Sequence, residues 1–137
     1  MNAAVTSPRQ TFRKSERLCS RKILETLASK GRNIYNNPFR LIWLISPLPQ
    51  EVPAQIAFAV PKRNLKKAVD RNRMKRLMRE SYRKNKSDFY AFIADQGISV
   101  ALLFVYTGKE VTGHTETESK TKSILTQLAQ DIKKFTR

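Results

Sequence analysis

The stretch Pro61-Lys-Arg-Asn-Leu-Lys-Lys-Ala-Val-Asp-Arg-Asn-Arg-Met-Lys-Arg-Leu-Met-Arg-Glu80 decides the reading of this chain. Placed at 100° per residue, Met74, Leu77, Met78, Ser81 and Tyr82 fall on one stripe, which predicts a helix over about 67–85. Lys75, Arg76, Arg79 and Arg83 gather with Asn72 on the opposite side, and Arg73 and Lys84 lie beside them. One face of such a helix docks on the protein and the other is a surface of guanidinium and ammonium groups. A merely solvated face interleaves both signs, yet residues 62–86 carry twelve Lys/Arg against Asp70 and Glu80 alone. Arginine in its core suits phosphate, because the planar guanidinium donates two parallel hydrogen bonds or stacks on a base.

The rest of the chain makes this concentration of charge more pointed. Of the formal net charge of +16 over 137 residues, residues 1–61 hold +6, residues 62–86 hold +10, and residues 87–137 are neutral. Such a distribution marks an electrostatic binding face for a polyanion. The length fits one small domain. Met1 to Thr11 reads as a basic, loosely ordered arm, and residues 12–137 as a single RNA-binding domain with Phe12 as its first anchor. No apolar run is long enough to span a bilayer, Met1 to Phe12 lack the apolar block of a secretory signal, and a lone Cys19 excludes a disulfide framework. A soluble, cytoplasmic protein is expected.

Working outward, Leu18, Ile23, Leu24, Leu27 and Ala28 form a helical stripe closed by Gly31, with Ser15 or Ser20 as its N-terminal cap. Asn36-Asn37-Pro38 signals a turn, and Phe39 to Ile45 reads as a buried strand ended by Pro47 and Pro49. Gln55 to Val60 alternates Ile56, Phe58 and Val60 with Ala57 and Ala59, giving a strand with one bulky and one thin face. Ile98 to Tyr106 is a further strand. Thr115-Glu-Thr-Glu118 matches a capping box opening a last helix whose stripe is Ile124, Leu125, Leu128, Ile132 and Phe135. The order suggests a small α/β sandwich with helices against a sheet.

Catalytic chemistry finds little footing. His114 sits in a polar loop without a second His or Cys, Cys19 reads as an inert thiol, and no carboxylates are spaced to share a metal. With four glycines there is no phosphate loop. The expectation is no catalytic residue and no metal site on the protein.

Ala68-Val69-x-Arg71-Asn72-Arg73-x-Lys75-Arg76-x-x-Arg79-Glu80 resembles the RNR signature of the bacterial ribonuclease P protein subunit, and the likeness extends over roughly residues 12–135. The resemblance implies an α+β domain of order α-β-β-β-α-β-α, a sheet flanked by helices with a left-handed βαβ crossover, like the second domain of a small-subunit ribosomal protein. It also implies a role in ribonuclease P: binding the catalytic RNA and the 5′ leader of precursor tRNA, with hydrolysis on the RNA and its Mg2+. No cofactor on the protein, membrane or small-molecule substrate is implied. Carried over by position, Lys62, Arg63, Lys66, Lys67, Arg71, Asn72, Arg73, Lys75, Arg76, Arg79 and Arg83 would face RNA. The leader cleft would use Phe12, Arg13, Lys14, Arg17, Arg21, Leu24, Ala28 and Ile42. Two departures stand out. Leu24 and Ala28 replace aromatic residues usual in the family, which weakens leader contact or shifts it toward Phe12, Tyr35 or Trp43. The approach Lys62 to Lys67 is one residue longer than the common form, with Lys66 where glycine is frequent. The rival readings are a ribosomal-protein-like structural module, a duplex-DNA binder with its basic helix in the major groove, and a protein-only nuclease.

Overall fold

The main apolar runs and the helix predicted over about 67–85 become regular structure. The computed structural model describes residues 12–48 and 52–136, so the arm expected over residues 1–11 lies outside the described residues. A 3-10 turn, Lys14–Glu16, leads into α1 (Arg21–Lys30), followed by β1 (Arg32–Asn36), β2 (Phe39–Ile45) and β3 (Ala54–Ala59). Next come α2 (Ala68–Asn85), α3 (Ser87–Gln96), β4 (Val100–Tyr106) and α4 (His114–Phe135).

The four strands make one sheet in the order β1-β2-β4-β3, in which β3 and β4 run parallel and the other pairs antiparallel. The parallel pair is bridged by α2 and α3, a crossover between parallel strands as the resemblance implied. Alternation splits the sheet into two faces. Leu41, Trp43, Ile56, Leu102 and Phe104 point into the larger core beneath α2, α3 and α4, where Met74, Met78 and Tyr82 are almost wholly buried. Fully burying such side chains stabilises by about 1.5 to 3 kcal/mol each. Ile42 and Ala101 point the other way and meet Leu18 and Leu27, with Leu24, Ala57 and Leu103 packed around them.

Local chemistry sets most boundaries. Ser20 caps α1, its Oγ accepting from the Ile23 amide at 3.3 Å. Gly31 ends the helix with φ −68°, so the glycine answers a close approach and not a left-handed turn: a Cβ there would overlap Ile42 and the Leu27 carbonyl.

Several expectations need correction. The order is α-β-β-β-α-α-β-α, because the segment after α2 forms the separate helix α3, driven by burial of Phe89 and Ile93. The first strand, not located from sequence, is Arg32–Asn36, an edge strand that buries only Ile34. Leu18 precedes α1 as extended chain, its amide donating to the Ile56 carbonyl at 3.0 Å. The Thr115 capping box does not form: α4 starts at His114 with Gly113 as N-cap, and Glu118 instead faces His114 and Lys122. Phe135 leaves the buried stripe and is 50% exposed.

Candidate nucleic-acid interface

Helix α2 presents the two faces its sequence requires. Met74, Met78, Ser81 and Tyr82 are buried, while Asn72, Arg73, Arg76 and Lys84 are exposed and Lys75, Arg79 and Arg83 half-buried. Its approach displays Lys62, Arg63, Lys66 and Lys67 to solvent around Leu65, which is 4% exposed and pins the loop to the core. Arg71 acts locally. Its Nη1 donates to the carbonyls of Leu65 at 3.0 Å and Lys66 at 2.8 Å, clamping the approach onto the helix start. Arg79 lies over the Phe58 ring at 5.8 Å. Arg83 pairs with Glu80 at 2.7 Å, and its hydrogen bond holds that carboxyl below the usual carboxylate range.

The twelfth basic residue of the segment is not on this surface. Lys86 is 3% exposed and ion-pairs with Glu16, itself 4% exposed, from the turn before α1. Glu16 also accepts from the Tyr90 hydroxyl and the Arg13 amide, both at 2.7 Å, and Tyr82 donates to Tyr90 at 2.9 Å. Burial pushes the Glu16 carboxyl up, but the Lys86 ammonium, the Arg13 amide and the Tyr90 hydroxyl outweigh it and hold the group below its ordinary range. Desolvation pushes the Tyr90 hydroxyl far up, so it stays a neutral donor. The network fastens Arg13, Lys14 and Arg17, all exposed, beside the junction of α2 and α3. Gln55, buried in β3, adds a bond from its amide to the Ser15 carbonyl at 2.9 Å.

The residues carried over for the leader cleft divide between the two faces of the sheet. Arg21 and Ala28 are exposed on α1, Leu24 is half-buried, and Ile42 is 6% exposed beneath that helix. Phe12 lies on the other side, edge-on to Phe58 at 5.9 Å and to Tyr82 at 6.1 Å. Trp43, considered above as a substitute platform, is 2% exposed in the larger core. Tyr35 is available: it is 71% exposed, with the Arg40 guanidinium 5.6 Å from its ring and Arg40 Nε bonded to Asn33 at 2.9 Å. Across the strands Tyr35 is in register with Arg40, Arg40 with Val105, and Val105 with Ala59. Val105 and Ala59 are half-buried, so this row remains accessible beside α1. Arg40, Val105 and Ala59 were not singled out from sequence, although the small residues of β3 had marked its thin face.

Among the described residues no group of three or more His, Cys, Asp or Glu is placed to hold a metal ion, and no helix is long and apolar enough to cross a membrane.

The profile of the Ribonuclease P family matches residues 12–130. The ribonuclease P protein component of Porphyromonas gingivalis is 28% identical over 130 residues, covering 93% of this chain and 94% of that protein. That of Chlorobium phaeobacteroides is 32% identical over 106 residues, covering 69% and 72%. The fold is similar to the RNase P protein of Staphylococcus aureus, with a TM-score of 0.67 at 16% identity over 84% of this chain and 96% of that one. The Thermotoga maritima protein gives 0.62 at 19% identity over 82% and 96%. With the signature helix in place and the family profile spanning nearly the whole described domain, the chain belongs to the ribonuclease P protein family.

Proposed function

We propose that this chain, as a ribonuclease P protein component, grips the catalytic RNA through the outward face of α2 and its approach loop, and receives the 5′ leader of precursor tRNA along the open row of the sheet. The carrying observation is the α2 surface, where Asn72, Arg73, Lys75, Arg76 and Arg79 stand on a helix firmly seated by Met74, Met78 and Tyr82. Arginines on a rigid support neutralise phosphates where two RNA strands approach each other, and the counterions released make the affinity salt-dependent. Arg71 contributes by fixing the loop that carries Lys62, Arg63, Lys66 and Lys67. On the other face, Arg21, Leu24 and Ala28 of α1 border the row of Tyr35, Arg40, Val105 and Ala59. Tyr35 supplies the stacking surface that Leu24 and Ala28 lack, and one base–aromatic stack contributes about 1 to 3 kcal/mol. Ile42 supports α1 from below, and Phe12 anchors the segment carrying Arg13, Lys14 and Arg17. Hydrolysis belongs to the RNA partner with its Mg2+, in the cytoplasm.

The test is precursor-tRNA cleavage at low Mg2+ by the partner RNA, with and without the protein, beside a protein-only control. Stimulation of correct 5′ cleavage that requires the RNA is expected. Tight RNA binding without stimulation would favour a structural RNA-binding module, and cleavage without RNA would favour a protein nuclease. Between 50 and 200 mM salt the RNA affinity should fall by roughly 10³ to 10⁵, as six to ten phosphate contacts require. The double substitution Arg73→Ala/Arg76→Ala should reduce the affinity and flatten its salt dependence while leaving the melting temperature in place.

A further inference from the structure

At the sheet edge opposite β3, Arg32, Asn33, Trp43, Asp131, Lys134 and Phe135 line an open cavity of about 350 Å3. Its chemistry is unlike that of the apolar core beside it. Phe135 ends α4 with half its surface in solvent, although Ile124, Leu125, Leu128 and Ile132 of the same stripe are buried. The Arg32 guanidinium lies 4.3 Å from the Phe135 ring centre and 6.0 Å from that of Trp43, and the two rings meet edge-on at 5.8 Å. Trp43 is 2% exposed, and its buried indole N–H has no hydrogen-bond partner among the described residues. Buried donors left unpaired are rare and call for an explanation. Asp131 takes the Gln127 amide on Oδ1 at 2.7 Å and, among the described residues, brings the only carboxylate to the cavity wall.

We propose that this cavity is a second nucleic-acid site that holds one unpaired nucleotide of single-stranded RNA. An aromatic ring stacked with a guanidinium is a platform for a planar heterocycle, because every base offers a π-face to it. Asp131 accepts from a base amino or imino group, and Lys134 meets the phosphate. The cavity lies at the small end of the range for ligand sites, the scale of a single nucleotide and not of a duplex. The site lies at the end of α4 and at the β1 edge, while α2 packs along α4 and on β3, at the opposite edge of the sheet. Three strand spacings of about 4.8 Å separate β1 from β3, so one RNA could engage both edges of the domain. The proposal rests on the reading that the chain works on RNA.

Trp43 is the only tryptophan in the sequence and lines this cavity, so its emission reports on it, with the α2 variant below as the control. The full chain is titrated with a uridine pentanucleotide, an adenosine pentanucleotide and a blunt RNA duplex. A saturable change in emission is expected with the single strands and not with the duplex. Phe135→Ala and Arg32→Gln should each weaken it at least five-fold, on the scale of one lost stack. Phe135→Leu, which keeps apolar bulk at an already exposed position, should weaken it while circular dichroism shows an intact fold. Arg73→Ala/Arg76→Ala should move the midpoint less than two-fold. Absence of a saturable change, an equal response to duplex, or loss with Arg73→Ala/Arg76→Ala instead of Phe135→Ala would each overturn the proposal. Intact cleavage stimulation without the emission change refutes the second site alone, whereas the emission change without stimulation refutes the proposed function alone.

Discussion

Breaking the buried pair between Glu16 and Lys86 tests how the N-terminal segment is held. Both side chains are nearly inaccessible, and Glu16 has three donors on it: the Lys86 ammonium, the Tyr90 hydroxyl and the Arg13 amide. Lys86→Met removes the only cation among these and leaves a carboxylate out of water with neutral donors. Breaking one side of a buried pair costs about 3 to 5 kcal/mol, whereas an exposed pair rarely reaches 1 kcal/mol. The two surviving hydrogen bonds place Lys86→Met near the lower end of that range. Glu16→Gln removes the carboxylate that the buried ammonium faces and should cost a similar amount. The double variant Glu16→Gln/Lys86→Met leaves no unpaired charge, so it should cost well under the sum, with a coupling of about 2 kcal/mol or more. Urea unfolding followed by circular dichroism measures all three. Single costs below about 1 kcal/mol, or additive behaviour in the double variant, would refute the view that a desolvated charge pair secures this segment.

Three further outcomes follow from the same geometry. The native state holds Glu16 ionised more readily than the unfolded chain does, so its contribution is complete above the ordinary carboxylate range and is lost as the pH falls through the lowered native value. In Lys86→Met burial loses its main opponent, and the acid limb of the stability profile should move to higher pH; an unmoved limb would refute this. Gly31→Ala is compatible with the backbone but collides with Ile42 and the Leu27 carbonyl, so it should cost about 1 to 3 kcal/mol, read as a lower urea midpoint at unchanged slope. Arg71→Ala frees the Leu65 and Lys66 carbonyls and should speed amide exchange over residues 62–67 at least ten-fold. Exchange that stays slow would mean Leu65 alone orders the loop.

Helix α2 was legible because its apolar and basic residues separate cleanly at helical spacing, and β2 and β4 because their runs are dense in branched and aromatic side chains. The boundary between α2 and α3 was hidden: Lys86 ends one helix and starts the next, with no glycine or proline to mark the joint. Edge strand β1 escaped notice because Ile34 is its single buried residue, too little for a period-two pattern. The Glu16 and Lys86 pair joins residues 70 apart, and a single sequence carries no sign of such a contact. Charge counting therefore included Lys86 among the twelve basic residues of the binding segment. Phe12 and Ile42 were grouped by family position, yet they pack on opposite sides of the sheet. Tyr35 was noticed as an aromatic residue, but its availability depends on the Arg40 and Val105 register that only the folded sheet reveals.

The placement of β4 also governs how the chain can come off the ribosome. It is the last strand to be synthesised, yet it occupies an interior position between β2 and β3. Among the described strands, only β1 and β2 can pair with each other before residue 100 has emerged; β3, bridged until then by the Arg17–Leu18 segment alone, must wait beside an unfilled gap while the helices that follow it are made. At about 5 to 20 residues per second that interval lasts seconds. Through it the nascent chain exposes a strongly cationic, half-assembled domain to whatever RNA is near, so completion of the sheet and the first encounter with a polyanion compete in time.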